Sequence, residues 1–365
     1  IGGFWHDMNE PVSFAAWGGN SLPHSVKHNL DGSLGNHLEA HNLYGFLMNK
    51  AAFESLAQLN PDNRNWLISR SGWAGLQRYA WNWTGDVAST WQALRQTIVT
   101  LIGLSLSGHF FSGSDIGGFS GNPSAELYLR WFQMAAFTPF FRTHSAVGTD
   151  RREPWSFGEP YTSIIRQYLD LRYQLIPYIY TLAWRSHIEG VPVIRPLFWK
   201  HPAWCEGWDV DDQFYFGDDI LVAPVIESHS DSRFVLLPPG EWFLYWDDTC
   251  YEGPTTIPVS VSLEHIPILI RAGSIIPLHK NEQLELHIYP TRLGGAAGTL
   301  YSDSGDGFGA SRVDEFKCLI IDQCLRISHQ RTGDYQVQDH LSFILHGPPV
   351  KYAQLNGQNI DLIFA

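Results

Sequence analysis

Short hydrophobic runs with β-type spacing alternate with longer helical stretches along the first ~200 residues of the chain. Five of these runs, rich in aromatic and β-branched residues, predict strands at 3–7, 65–70, 79–84, 108–112 and 140–144. The longer segments predict helices at 37–59, 90–104, 123–136 and 159–189. Strands and helices that follow one another in this single order are typical of parallel βα units.

The pattern changes at Arg195, beyond which helical spacing disappears and Pro, Gly and alternating apolar residues dominate. The stretches GDDILVAPVIES, FVLLPPGEWFLYWDD and IPILIRAGSIIPL predict antiparallel β structure, and a further β-rich segment follows from about residue 279. The expected organisation is therefore a βα domain at 1–198, a proximal β-sandwich domain at 199–279 and a distal β-rich domain at 280–365.

Charged and polar side chains stand where the predicted parallel strands end. Asp86, Asp115 and His144 follow three successive strands at equal intervals, each close to one βα unit of about 30 residues. Asp7 and Arg70 occupy the same position on the first two strands. Strand ends of this kind converge on the open end of a (β/α)8 barrel, where such barrels carry out chemistry. The sequence predicts an α/β fold, the C-terminal part of a (β/α)8 TIM barrel followed by one or two all-β sandwich domains.

The number of strands falls short of a whole barrel. A (β/α)8 barrel needs eight βα units, and the sequence supplies five predicted strands, the first of them at the chain start. We therefore expect Ile1 to be a cut edge and roughly three βα units to be missing upstream. An open barrel exposes strand edges and apolar surface, so we expect the chain by itself to be poorly folded or inactive.

Composition narrows the classes of partner. With 24 Lys and Arg against 37 Asp and Glu, the net charge is −13, which argues against a nucleic-acid partner. No run of 18 apolar residues is present, so we expect no membrane partner and a soluble protein, with the cytoplasm as the favoured compartment. Four widely spaced cysteines predict ordinary thiols. The 15 Trp residues either fill a core or provide flat surfaces that stack on sugar rings.

The side chains predicted on one rim suit two kinds of hydrolysis. In glycoside hydrolysis one carboxylate attacks the anomeric carbon or activates water while a second protonates the leaving oxygen, and neighbouring groups must separate their pKa values. Asp and His also bind metal ions, but the rim residues form no HxH, HExxH or DxD motif. The aromatic residues Trp5, Trp81, Trp83 and Phe119 suit a sugar better than a hydrated ion, so glycoside hydrolysis is favoured.

A family resemblance enters at these residues. GFWHDMNEP, residues 3–11, resembles the W-x-D-M-N-E-P nucleophile signature of glycoside hydrolase family 31, the α-glucosidases. The resemblance continues in order through HNLYG, ISRSGWAGLQRYAWNWTGD, GSDIGGFSGNPSAELYLRWFQMAAFTPFFRTHS and RREPWSFGEP. GDDILVAPV, GEWFLYWD and AGSIIPL resemble the proximal sandwich of the family, and LYSDSGDGFG is similar to the D-x-G-x-x-F hairpin of its distal domain.

The resemblance implies a role for nine side chains. Asp7 would be the nucleophile that forms a covalent glycosyl-enzyme, and Asp86 the general acid that protonates the leaving oxygen and then activates water. Ring hydroxyls in the −1 subsite would be held by Arg70, Asp115 and His144, and the walls of that subsite would be Trp5, Met8, Trp83 and Phe119. Residue type alone does not distinguish Asp7 from Glu10, or Asp86 from Asp115. Glu10 is expected to be a strand-end brace bonded to neighbouring backbone.

By this resemblance the parent protein is a retaining exo-α-glucosidase that removes terminal α-linked glucose from oligosaccharides by double displacement, with no metal and no organic cofactor. An α-xylosidase or α-transglucosidase of the same family is the alternative, although such α-xylosidases tend to have a Phe- and Thr-rich version of WHDMNE. A non-catalytic sugar-binding homologue is the alternative from another class, but it would be free to lose Asp7 or Asp86. The missing N-terminal part of the same protein is the partner expected to complete the barrel.

Two further groups of residues are predicted to be structural. Asp303, Asp306 and Gly307 hint at calcium, but the EF-hand pattern is absent, so a Gly-rich hairpin turn is predicted. Histidines such as those at 24, 28, 37 and 41 lie in predicted loops or at helix starts without the spacing of metal ligands.

Overall fold

The computed structural model describes residues 2–14, 20–30, 32–280, 283–336, 341–360 and 363–364. Ile1, the expected cut edge, lies outside them. The first part of the chain contains strands and helices in alternation. The strands are β1 (Gly3–His6), β2 (Lys27–Leu30), β3 (Ser33–Asn36), β4 (Trp66–Ser69), β5 (Trp81–Trp83) and β6 (Ser112–Gly113). The helices are α1 (His37–Leu59), α2 (Trp91–Leu106), α3 (Ala125–Ala135), α4 (Tyr161–Gln174) and α5 (Ile176–Glu189).

Four of these strands form a parallel sheet in the order β1-β4-β5-β6. Trp5 pairs with Ile68, and Ile68 pairs with Trp81. With this register the carboxyl ends of the strands lie at the same edge of the sheet. This confirms a partial TIM barrel, with parallel strands and helices in the predicted order. Strands β2 and β3 form a separate antiparallel hairpin that the sequence pattern did not predict.

Three predicted elements differ from the observed ones. The strand predicted at 108–112 is the two-residue β6, Ser112–Gly113. The segment at 140–144 forms no strand, since only Arg142 makes a parallel bridge, to Asp115. Pro139 cannot donate a ladder hydrogen bond, and its neighbour β6 is only two residues long. The helix predicted at 159–189 is two helices, α4 and α5, that meet at Leu175. Pro177 explains the break, because proline lacks an amide hydrogen and belongs in the first turn of a helix.

The all-β part begins with a six-stranded antiparallel sheet in the order β11-β10-β12-β9-β8-β7. Alternate residues on its strands face two different cores. Phe214, Phe216 and Ile268 pack against the helices, whereas Tyr215 and Leu269 pack into a second core. The sheet consists of β7 (Ile194–Arg195), β8 (Phe214–Phe216), β9 (Ile220–Val222), β10 (Ser232–Leu244), β11 (Cys250–Ser260) and β12 (Ile268–Arg271).

A second, mixed sheet follows in the order β20-β19-β17-β16-β15-β13-β14-β18-β21. Strands β13 and β14 pair from Ser274↔Tyr289 to Lys280↔Gln283, across the predicted division at 279/280, and the position of that division stays a prediction. The strands are β13 (Ser274–Lys280), β14 (Gln283–Tyr289), β15 (Gly295–Asp303), β16 (Ser311–Ile321), β17 (Cys324–Gly333), β18 (Leu341–Leu345), β19 (Tyr352–Leu355), β20 (Gln358–Ile360) and β21 (Ile363–Phe364).

The turn between β15 and β16 joins this second sheet to the barrel part. Asp303 accepts hydrogen bonds from the hydroxyl of Tyr180 on α5 and from Arg64 in the loop that follows α1. Asp306 accepts one from the amide of Arg64. These acidic side chains therefore bind protein donors in a hairpin turn, as predicted.

All four cysteines are free, as predicted. Within the described part of the chain, none of the helices combines the length and apolar character needed to cross a membrane.

Candidate active site

The carboxyl ends of the parallel strands bring the predicted side chains to one rim. Asp7 directly follows β1, Arg70 directly follows β4, and Asp115 stands two residues beyond β6. Asp86 lies three residues beyond β5, after the turn at Gly85, whose φ is 72°. Because the four strands are parallel and adjacent, these side chains meet at one edge of the sheet.

Arg70 is the centre of a carboxylate cluster. Its Nη1 lies 3.0 Å from Oδ1 of Asp7 and 3.7 Å from Oδ2 of Asp86. Its Nε and Nη2 donate to the two oxygens of Glu10 at 2.8 and 3.0 Å. The hydrogen bonds to Glu10 raise the pKa of Arg70. Burial works against ionisation of Glu10, but the bonds from Arg70 hold the pKa of Glu10 below its ordinary value.

Glu10 is thus a brace, as expected, but the partner that it holds is the side chain of Arg70, whereas the expected partner was neighbouring backbone. A bidentate Arg–carboxylate pair fixes the plane of the guanidinium group. The backbone beneath Arg70 is held as well, since Asn82 Nδ2 donates to the carbonyl oxygens of Ser69 and Arg70 at 2.9 and 3.1 Å.

The DMNEP stretch divides its side chains between the site and the protein interior. Met8 has a left-handed backbone, with φ 55°, and its amide donates to Asp7 Oδ1 at 2.9 Å. The following residue, Asn9, is buried, donates to Ser69 Oγ at 2.8 Å and accepts from the amide of Ser71 at 3.2 Å. The turn at Met8 therefore leaves Asp7 and Glu10 at the rim while Asn9 ties the loop to the end of β4.

Asp115 and Arg142 form a second, more buried pair. Arg142 donates to Oδ1 of Asp115 through Nε at 3.1 Å and Nη2 at 2.5 Å. Asp115 is 0% exposed, and its Oδ2 finds no hydrogen-bond partner among the residues that the structure describes. Burial raises the pKa of Asp115, although the charge of Arg142 opposes the rise. A buried acceptor without a partner is costly.

An aromatic wall lies beside the two clusters. Trp5 is 45% exposed and packs on Trp83, with ring centroids 5.6 Å apart. His144 contacts Trp5 edge-on at 5.6 Å and stacks on Phe119 at 5.4 Å. Trp83 is only 3% exposed, so Trp5 supplies most of the surface open to a ligand. The guanidinium of Arg142 lies over both tryptophan rings, at 5.4 and 5.3 Å from their centroids.

The structure therefore brings eight of the nine predicted side chains together, in two contacting groups. The ninth, Met8, is 45% exposed and enters the site through its amide. Sequence reasoning missed Arg142 and Asn9. A signal for Arg142 was present, since in an extended segment it shares a face with His144, two residues on. No three His, Cys, Asp or Glu side chains within the described ranges are grouped so as to hold a metal ion.

Comparison with known proteins gives a consistent result. Residues 1–182 match the model of the glycosyl hydrolases family 31 TIM-barrel domain, and residues 190–276 match that of the family 31 C-terminal domain. Alpha-glucosidase 2 of Bacillus thermoamyloliquefaciens is 38% identical over 358 residues, which are 95% of this chain and 45% of that protein. Neutral alpha-glucosidase AB of Homo sapiens is 36% identical over 326 residues, 86% of this chain and 34% of that protein.

Solved structures show the same similarity. The Flavobacterium johnsoniae dextranase complexed with glucose superposes with a TM-score of 0.81 at 32% identity, over 87% of this chain and 42% of the dextranase. A glucosidase II alpha subunit bound to Glc1Man2 also superposes with a TM-score of 0.81 at 32% identity, over 86% of this chain and 36% of the subunit. The chain thus spans less than half the length of each of these relatives.

Proposed function

This chain belongs to glycosyl hydrolase family 31, and on that basis we propose that the protein is a retaining exo-α-glucosidase. Its substrates are oligosaccharides that end in an α-linked glucose. The solved relatives were bound to glucose and to a glucosylated oligosaccharide, which supports this class of substrate. The reaction is a double displacement through a covalent glycosyl-enzyme.

The observation that carries the proposal is the position of one nitrogen, Arg70 Nη1, between two carboxylates. It lies 3.0 Å from Asp7 Oδ1 and 3.7 Å from Asp86 Oδ2, so these two oxygens are separated by no more than the sum of the two distances. Retaining enzymes place their carboxyl groups roughly 5–5.5 Å apart, whereas inverting enzymes need roughly 6.5–9.5 Å for a water molecule. The upper limit set by Arg70 admits the retaining separation and reaches only the lower end of the inverting range, which supports the retaining arrangement.

The surroundings of the two carboxylates support different roles. Asp7 accepts from Arg70 and from the Met8 amide, both at Oδ1, so the group is held in place and Oδ2 is left for attack on the anomeric carbon. Asp86 is half exposed, and its distance of 3.7 Å from Arg70 exceeds a hydrogen bond. It is therefore free to give a proton to the leaving oxygen and to take one from water.

The remaining rim residues supply the sugar-binding surface in this proposal. The free Oδ2 of Asp115 accepts a hydrogen bond from a ring hydroxyl, and Arg142 keeps the other oxygen occupied. Trp5 presents a half-exposed ring on which one face of the sugar packs. Phe119 and His144 stack on each other and close the wall beside it.

The test is hydrolysis of an aryl α-glucoside, with the matching α-xyloside as the comparison, by the longest form of the protein that its gene encodes and by this chain alone. We expect turnover of the glucoside, retention of the α-anomer in the first product observed by NMR, and loss of turnover in Asp7→Asn. A covalent adduct on the peptide containing Asp7, trapped with a fluorinated glucosyl fluoride, identifies the nucleophile. Sugar binding without turnover in the full-length protein would instead favour a non-catalytic homologue.

A further inference from the structure

Three imidazoles and a hydroxyl lie in contact behind the loop that carries Asp7 and Glu10. His37 Nδ1 lies 3.2 Å from His28 Nε2, and His37 Nε2 lies 3.1 Å from His41 Nδ1. Ser21 Oγ lies 2.9 Å from His37 Nε2 and donates to the carbonyl oxygen of Pro11 at 2.8 Å. This chain of contacts, which we call the histidine latch (Ser21, His28, His37 and His41), has no role in the sugar-binding surface.

The hydrogen bonds assign a tautomer to each ring of the latch. The Ser21 hydroxyl has one proton and donates it to Pro11, so its oxygen must accept from His37 Nε2. A neutral His37 then has a bare Nδ1, and His28 must donate to it through Nε2. His41 Nδ1 faces the same Nε2–H of His37 and is therefore also bare. With these tautomers Ser21 donates to Pro11, His37 donates to Ser21 and His28 donates to His37.

The surroundings of His37 favour its neutral form. Burial and the neighbouring rings of His41, His28 and His24 lower the pKa of His37, in that order. The ring also stands at the first residue of α1, where the helix dipole disfavours a positive charge. Glu39, two positions further along α1, accepts from the Asn36 amide, and the carboxylate of Glu10 is paired with Arg70.

The latch is connected to the active site through backbone. Ser21 holds the carbonyl of Pro11, and Pro11 directly follows Glu10, which orients Arg70. The same loop is closed by hydrogen bonds from the Val12 amide to Met8 O and from the Ser13 amide to Asn20 O, both 3.0 Å. Loss of the Ser21–Pro11 bond therefore frees the loop at a point one residue from the Arg70 brace.

We propose that Ser21 and His37 are positioning residues, which hold the Asp7–Glu10 loop in place through the carbonyl of Pro11. Only the expected effect of these residues on turnover rests on the proposed function. The structural part of the proposal, a loop held by a neutral histidine chain, concerns this chain whether or not the protein is a glycosidase.

The first experiment is structural and uses the longest form of the protein that its gene encodes. We expect imidazole ¹⁵N spectra at pH 7.5 to show His37 protonated at Nε2 and bare at Nδ1. We expect Ser21→Ala to speed exchange of the Val12 and Ser13 amides roughly fivefold to tenfold, the loss of about one hydrogen bond. The matched control is His24→Gln, because His24 contributes its backbone carbonyl to α1 and its substitution leaves the latch bonds intact. A folded Ser21→Ala protein with unchanged amide exchange, or a His37 ring bare at Nε2, would overturn the proposal.

The second experiment measures turnover in the longest form of the protein. We expect Ser21→Ala and His37→Gln to lower kcat several-fold with a smaller change in KM. Unchanged kcat in a folded variant, or a kcat that falls only in proportion to the loss of folded protein, contradicts a positioning role. If the unmodified protein hydrolyses no glycoside, the proposed function fails, while the amide-exchange result still decides on the latch.

Discussion

Arg70 places Nη1 3.0 Å from Oδ1 of Asp7 while its other two nitrogens hold Glu10 at 2.8 and 3.0 Å. The guanidinium plane is therefore set by Glu10 before any substrate arrives, and Asp7 and Asp86 meet a cation that is already in position. This arrangement requires the planar guanidinium group, whose N–H donors have fixed directions. The ammonium group of a lysine has no such plane.

The first prediction concerns this fork. We expect Arg70→Lys to keep a positive charge near Asp7 but to lower kcat/KM by about 10²-fold or more, because one ammonium cannot serve Glu10 and Asp7 in the same geometry. Steady-state kinetics on an aryl α-glucoside provide the measurement. Glu10→Gln is the companion variant, which retains one acceptor for Arg70, and we expect a smaller loss. Equal activity of Arg70→Lys and the unmodified protein would contradict the role of the fork.

The second prediction separates the two carboxylates by leaving group. We expect Asp86→Asn to lower turnover of a natural α-glucoside by roughly 10²–10⁴-fold, as for loss of a general acid. A 4-nitrophenyl α-glucoside needs little protonation of its leaving group, so its first step should suffer much less. Asp7→Asn should abolish both reactions alike. If Asp86→Asn slows the first step of the two substrates equally, as measured by pre-steady-state release of the leaving group, Asp86 is not the acid.

The third prediction uses the buried pair of Asp115 and Arg142. Asp115→Asn leaves the Arg142 guanidinium with a neutral partner in a buried setting, and we expect a loss of about 3 kcal/mol in the free energy of unfolding. The double variant Asp115→Asn/Arg142→Met should recover much of this stability but not sugar binding, because the Asp115 oxygens remain changed. Urea denaturation and calorimetric sugar binding check both parts. A stable Asp115→Asn single variant would show that the pair has little structural role.

The fourth prediction concerns pH. Burial lowers the pKa of a set of histidines below the ordinary value of 6.5, namely His37, His109, His201, His265 and His287. The unfolded chain therefore binds more protons than the folded chain as the pH falls through 6.5. We expect the contribution of these groups to be complete above that pH and stability to decline between pH 7 and pH 5.

The measurement is the urea midpoint as a function of pH. The matched variant is His109→Gln, because burial alone lowers the pKa of His109. The effect of this substitution on stability therefore reports the burial of one imidazole. We expect this variant to lose less stability between pH 7 and pH 5 than the unmodified chain. A midpoint that stays constant or rises on acidification would contradict the prediction.

The fifth prediction concerns the joint between the barrel part and the second sheet. Asp303 accepts from the side chains of Arg64, Tyr180 and Tyr301 and from the amide of Gly305, so Asp303→Ala leaves four donors without their shared acceptor. We expect a lower urea midpoint and a separate early transition in tryptophan fluorescence, to which Trp184 contributes because it stacks on Tyr301 at 5.1 Å. Ser304→Ala, at the next position along the same turn, is the control. A single unshifted transition in Asp303→Ala would mean that the apolar contacts alone hold the joint.

Much of the fold follows from local pattern. Helix α1 has the predicted bounds, 37–59, and Asn36 and Glu39 form a capping box that marks its start. The sequence also predicts the parallel strands and places Asp7, Arg70 and Asp115 at the rim. Each of these residues is a polar residue that follows an apolar run, and this change marks the carboxyl end of the strand. The break at Leu175 could have been predicted from Pro177 but was not.

What the sequence by itself determined is the set of residues at the rim and the order of the elements that carry them, because both depend on short-range periodicity. The pairing within that set was decided only by the tertiary structure. Asp115 meets Arg142 and Glu10 meets Arg70 across long stretches of chain, and which oxygen each nitrogen contacts depends on the register of adjacent strands. The histidine latch arises in the same way, where a hairpin, a loop and the start of α1 come together. Periodicity determines the face on which a side chain lies, whereas only the packing of distant segments determines its partner.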